Sequence, residues 1–334
     1  MFSSQFEERR CGVLLHPTSL PARDFSDATL WLDFMQQAGL SLWQVLPLEP
    51  PQNGFSPYQC NSAFAMNPAL LGRSVDMDKE NSDYQQFCGK EDFWLDDYAL
   101  FVTLREGFDD MPWYEWPECY RRRDSETLNA TRSSQKDQLE QIKWEQFLLY
   151  SEWQGIHRDA NSRNIQLMGD MPIFVAHDSA DVWANQAQYK LDESGHLTVV
   201  AGVPPDYFSA TGQRWGNPHY DWEKMQETGF DWWVKRIQHH CELFDLARIE
   251  HFRGLSAVWE IDADCESAIE GHWVETPGEA LLETLRAILG SLPLVAVDLG
   301  VITDDVIALK EKFTMPGMSV LQFSFDEFED NPHN

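Results

Sequence analysis

A chain of 334 residues with 55 acidic against 25 basic side chains carries a net charge of -30, which repels phosphate backbones and anionic lipid heads and argues against nucleic-acid or membrane partners. Apolar residues make up 43% of it, with 14 tryptophans, so there is surface enough for a core and the charge does not signal disorder. No stretch approaches the ~20 apolar residues of a membrane span, and the length fits one barrel-sized α/β domain with insertions.

In chain order, near-continuous apolar runs alternate with helical patterns. The runs are "GVLLHP" (12–17), "LWQVLPL" (42–48), "IQLMGDMPIFV" (165–175), "LFDLARIEHF" (243–252), "LPLVAVDLG" (292–300) and "SVLQFSF" (319–325). Between them, apolar periodicity predicts helices over 28–39, 136–163, 230–244, 278–290 and 303–313, the first ended by Gly39 and the last opened by Thr303 with Asp304 and Asp305. Strands buried on both faces and separated by helices indicate a parallel sheet, hence an α/β fold. Residues 1–48 read as the start of a barrel, 49–135 as an inserted subdomain without linker composition, and 136–334 as the barrel continued with loop insertions.

Six well-separated cysteines without a C-x-x-C pair, behind an opening "MFSSQFEERR" with no secretory pattern, predict reduced thiols in a cytoplasm. Aromatic residues reach 13% and crowd polar stretches such as "MPWYEWPECY" and "GQRWGNPHYDW". Sugar rings stack on such faces, although packing of long loops explains any single one of them as readily.

Polar residues collect where the apolar runs stop: His16, Glu49, Asp170, Glu250 and Asp298. In a (β/α)8 barrel the C-terminal strand ends build the active site. A doubly wound sheet would also use its strand ends, but no G-x-G-x-x-G or G-x-x-x-x-G-K-[ST] follows any strand. Glu250, Asp298 and Asp170 suit glycosyl chemistry, in which one carboxylate attacks the anomeric carbon while an acid protonates the leaving oxygen. Arg248 would keep the nucleophile ionised, or else simply satisfy a buried ion pair at the barrel mouth. A metal site drawn from His177, Asp178, Asp181 and His251 is the alternative, although "HDSAD" also reads as a loop opening a helix with Asp178 or Ser179 as its cap. His239 and His240 fall on the helix 230–244, in a solvated or packing role. Serine and cysteine nucleophiles have no motif to support them.

Taken together, "GVLLHPTSLP", "SPYQCNSAFAMNP", "GDMPIFVAHDSADVWAN", "VVAGVPPDYFSATGQRWGNPHYDW", "ARIEHFRG" and "MPGMSVLQFSF" closely resemble the 4-α-glucanotransferases of the amylomaltase or disproportionating-enzyme family, in order from about residue 11 onward. The resemblance implies a (β/α)8 TIM barrel with inserted subdomains, no metal or organic cofactor, and α-1,4-glucans as substrates. A covalent glycosyl-enzyme would carry the sugar to the 4-hydroxyl of an acceptor. It implies that Tyr58 and Trp215 meet sugar rings, that Asp170 bonds hydroxyls and Arg248 orients the nucleophile, and that Asn217 and His251 contact substrate.

Three departures accompany it. Where the family reads R-I-D-H-F-R-G this chain has Glu250 at the nucleophile position, and a misplacement of ~1 Å can cost on the order of a hundredfold in rate. Where the family reads A-E-D-L-G, with glutamate as acid/base, this chain has Val297 and then Asp298, which the strand alternation turns to the other face and makes a poor substitute. The family's later T-H-D-N segment has no counterpart before "DEFEDNPHN", so the resemblance implies six barrel strands with two missing. It also implies an open sheet edge and a site that Asp at 250 and Glu at 297 would not restore alone. An inactive glucan-binding remnant, or a truncated chain with no stable fold, is the rival expectation.

Overall fold

The computed structural model describes residues 10–52, 54, 56–206, 209–297 and 303–325. Its strands are β1 (Gly12–Leu14), β2 (Leu42–Gln44), β3 (Gln166–Met171), β4 (Val199–Val203), β5 (Gln213–Pro218), β6 (Leu246–Ile249), β7 (Ala257–Asp262), β8 (His272–Glu275) and β9 (Leu294–Ala296). The longer helices are α1 (Ala28–Ala38), α2 (Ser82–Lys90), α3 (Asp92–Gly107), then, past the short α4 (Glu118–Arg121), α5 (Ser125–Ser134) and α6 (Lys136–Ser162). After α7 (Ala180–Ala184) and α8 (Trp222–Glu227) come α9 (Asp231–Leu243), α10 (Gly278–Leu289) and α11 (Asp304–Lys312). No described helix is long and apolar enough to cross a membrane.

Five strands form one parallel sheet in the order β1-β2-β3-β6-β9, successive ones joined by four helix-bearing crossovers, as the alternating apolar runs predict. Among the described residues the sheet is open, with β1 and β9 at its edges. The sixth run departs from its reading as a strand: Leu321–Ser324 make a 3-10 turn. The backbone of Ala296 donates instead to the carbonyl of Pro316 at 3.0 Å, and Met318 packs against Met168, Leu246 and Val295. The chain therefore lies along β9 ahead of the apolar run, whose residues leave the sheet.

A second, antiparallel sheet in the order β5-β4-β7-β8 was not legible as strands. Its sequences "VVAGV" and "QRWGNP" carry Gly and Pro, which weaken strand patterns. Gly202 is needed in β4 because a Cβ there would come within 2.2 Å of the Gln213 carbonyl oxygen, beside a register shift in the β4–β5 pair.

Helices α1 and α6 cover one part of the parallel sheet through Phe25, Leu32, Met35, Trp43, Trp153 and Leu167. Each such side chain, fully buried, contributes on the order of 1.5–3 kcal/mol. The buried indoles keep their N–H groups satisfied: Trp43 donates to the Leu15 carbonyl at 2.7 Å and Trp153 to that of Leu243 at 2.8 Å. Gly39 ends α1 in the left-handed region with φ 73°, as its position predicts. Thr303 precedes α11, but its hydroxyl accepts from Arg253 at 2.9 Å and does not cap the helix.

Candidate functional site

Strand register places the site. Asp170 on β3 stands opposite Arg248 on β6, so the two side chains share one face of the sheet, and Glu250 follows two residues on with its N–H bonded to the Met171 carbonyl at 3.0 Å. Arg248 forks between the two carboxylates: one guanidinium nitrogen donates to Asp170 Oδ1 at 2.6 Å and the other pairs with Glu250 Oε2. The second oxygen of Asp170 accepts from the Tyr58 hydroxyl at 2.9 Å. Asp170 is buried, which pushes its carboxyl up to about 6 despite the Arg248 charge beside it. Burial and the nearby Asp170 and Glu250 charges likewise raise the Tyr58 hydroxyl, which stays a donor.

The glycine before Asp170 explains how β3 reaches this position. A Cβ on Gly169 would lie 2.5 Å from both His240 Nε2 and the Phe244 ring, so only glycine lets α9 pack this closely behind the strand.

Above these groups opens a cavity of about 300 Å³ lined by Tyr58, Gln59, Phe174, Trp215, Glu250 and His251 among others. That is the lower end of the volume typical of small-molecule sites. Trp215 arrives from β5 of the antiparallel sheet, and its ring lies 4.4 Å from that of His251, which itself adopts the left-handed region at φ 51°. Asn217 is a largely buried part of the wall, donating to the Val175 carbonyl and accepting from Gln59 Nε2, both at 2.9 Å. Gln59 and Phe174 were not singled out in the sequence, although they adjoin Tyr58 in "SPYQ" and Asp170 in "GDMPIF".

Of the remaining sequence candidates, Val297 follows β9 and is buried, at 8% exposure. Val295 is opposite Arg248 in the β6–β9 register, so the alternation turns position 297 to the site face. Asp298 lies outside the described residues. The four residues of the metal alternative do not converge. Asp178 pairs with Arg105 at 2.5 Å, Asp181 accepts from the Ala63 N–H at 2.7 Å, and His177 Nε2 bonds the Gly195 carbonyl at 2.8 Å, while His251 is at the cavity. Ser179, not Asp178, caps α7. His239 and His240 are both buried, which removes the solvated role and leaves the packing one.

A family model described as 4-alpha-glucanotransferase matches residues 15–77 and 71–334. The chain belongs to that family. The 4-alpha-glucanotransferase of Thermus thermophilus is 42% identical over 97% of this chain and 74% of its own length, and that of Synechocystis sp. is 40% identical over 97% and 75%. An amylomaltase structure from Streptococcus agalactiae, in complex with acarbose, superposes with a TM-score of 0.90 at 32% identity, covering 97% of this chain and 76% of that one. The parallel sheet with its helices is thus the amylomaltase fold over the span the two share.

Proposed function

We propose that the cavity takes the sugar rings of α-1,4-glucans and that this chain is a 4-α-glucanotransferase slowed at the proton-transfer step. The observation that carries the reading is the Arg248 fork, which holds Asp170 and Glu250 side by side at the ends of two neighbouring strands, with Glu250 facing a cavity walled by Tyr58 and Trp215. Acarbose in the Streptococcus agalactiae amylomaltase supports a sugar-like occupant. In this reading Glu250 attacks the anomeric carbon and holds the glycosyl group as an ester until an acceptor 4-hydroxyl displaces it. Arg248 orients the attacking oxygen, Asp170 bonds a sugar hydroxyl, and Tyr58 and Trp215 give rings a face to stack on. The leaving oxygen needs a proton, and Val297 carries none, so it must come from solvent. Loss of general acid help costs typically ~10²–10⁴ in rate. Val297 is also the observation that favours the second reading, glucan binding without turnover.

Calorimetry with maltoheptaose and glucose release from maltotriose test this together, with the Streptococcus agalactiae amylomaltase assayed alongside. Binding with slow release is expected. Absence of binding overturns the function, a rate equal to that amylomaltase overturns the slowing, and binding with no release selects the second reading.

A further inference from the structure

Two small cavities adjoin the site. One, of about 10 Å³, is bordered by Glu49, Asp170, Arg236, His239 and His240 among others. The other, of about 20 Å³, is bordered by Glu49, Tyr58, Cys60 and Arg236, and shares the walls Tyr58, Pro172 and Phe174 with the main cavity. Each is on the scale of a single water. Glu49 is the carboxyl common to both, and it belongs to no part of the mechanism above.

Charge counting shows what Glu49 does there. Arg248 is shared by Asp170 and Glu250. Arg236 is buried on α9, acts on both Glu49 and Asp181, donates to the Pro172 carbonyl at 2.7 Å, and lies 5.3 and 5.2 Å from the rings of Trp232 and Trp233. Four carboxyls therefore answer to two guanidinium groups, and in such surroundings a carboxyl without a cation of its own takes a proton. Burial drives Glu49 up to about 8, with Asp170 and Asp181 adding to the rise, whereas Asp170 reaches about 6. At neutral pH Glu49 is the acid of the pair and Asp170 the base.

We propose that Glu49 is a positioning residue for Asp170: as a neutral acid it donates its O–H to a water in the cavity the two share, and through that water keeps Asp170 a carboxylate aimed at Tyr58 and Arg248. This rests on the reading of Asp170 as a sugar-binding group. The groups facing Glu49 are Asp170 from β3, Asp181 from α7, Arg236, His239 and His240 from α9, and Cys60 and Tyr58 from the segment after β2. Above pH ~8 Glu49 becomes a second anion on the same cavity, and like charges so placed oppose the ionised form of Asp170.

The test compares the native chain with E49Q, which keeps an uncharged donor, and E49L, which keeps none. Maltoheptaose affinity of the native chain is expected to fall as pH rises through about 8, E49Q to stay level there, and E49L to bind about tenfold more weakly at pH 7, the scale of one lost hydrogen bond to a charged group. Alkaline loss that persists in E49Q, or native affinity in a folded E49L, overturns the proposal. Thermal unfolding supplies a readout free of glucan. The folded Glu49 value lies above its ordinary 4.5, so its contribution is full below pH 4.5 and is lost as pH rises through about 8. E49Q should therefore gain on the native chain across that window, and less so when D170N is also present. Parallel curves with no coupling between the two changes overturn the proposal even if maltoheptaose never binds, an outcome that by itself would sink only the function above.

Discussion

Along β3 and β6 the strand ends carry a run of matched charges, Asp170 held by Tyr58 and Arg248, and Arg248 held again by Glu250. One strand further on, β9 leads from Leu294, Val295 and Ala296 into Val297, all buried and apolar, with Val295 and Val297 on the face that the register shares with Arg248. The contrast shows that the groups that would hold a sugar and orient a nucleophile form a self-contained network. That network needs nothing from position 297, so it persists where the proton donor does not. In the proposed function, binding and proton transfer would thus be separable properties of neighbouring strands.

The largest effect should come from crossing that divide. V297E is expected to raise glucose release from maltotriose over the native chain by about 10²–10⁴-fold, the usual worth of a general acid, and an unchanged rate would mean that the valine is not what slows transfer. On the matched side, R248M should cost about 3–5 kcal/mol of unfolding free energy by denaturant titration, since it strands Asp170 and Glu250 without their cation. A loss under about 1 kcal/mol, the worth of a solvated pair, would show that the network is not self-contained. Added to V297E, E250D is expected to bring on the order of a further hundredfold by shortening the reach of the nucleophile. If E250D slows the enzyme instead, the backbone has already adapted to the longer side chain. The smallest effect is an acid limb. Asp170, pushed up to about 6, loses its charge below that pH, so maltoheptaose affinity should drop about tenfold there in the native chain and stay level in D170N.

Much of this was legible in the sequence because it is local. Five of the apolar runs became parallel strands, and Asp170 and Glu250 do fall where two of them stop. The second sheet escaped because β4 and β5 are joined by a bulge and interrupted by Gly202, Gly216 and Pro218, which read as loop. "SVLQFSF" had the composition of a strand, but pairing is a property of the neighbour, and Ala296 pairs with Pro316 first. In the site, Asp170, Trp215 and Tyr58 were named through motifs. Gln59 and Asn217 meet only through the fold, and Glu49 appears in sequence as one more polar residue at a strand end, with nothing to tie it to Arg236 on a distant helix.

Tyr58 borders the main cavity on one side and one of the small cavities on the other. Its hydroxyl reaches Asp170, so in the proposed function a sugar pressed against the ring would lean on a wall that also lines the compartment of Glu49. If both proposals hold, a ligand that tilts that ring would report on the protonation of Glu49, a group that the main cavity does not touch.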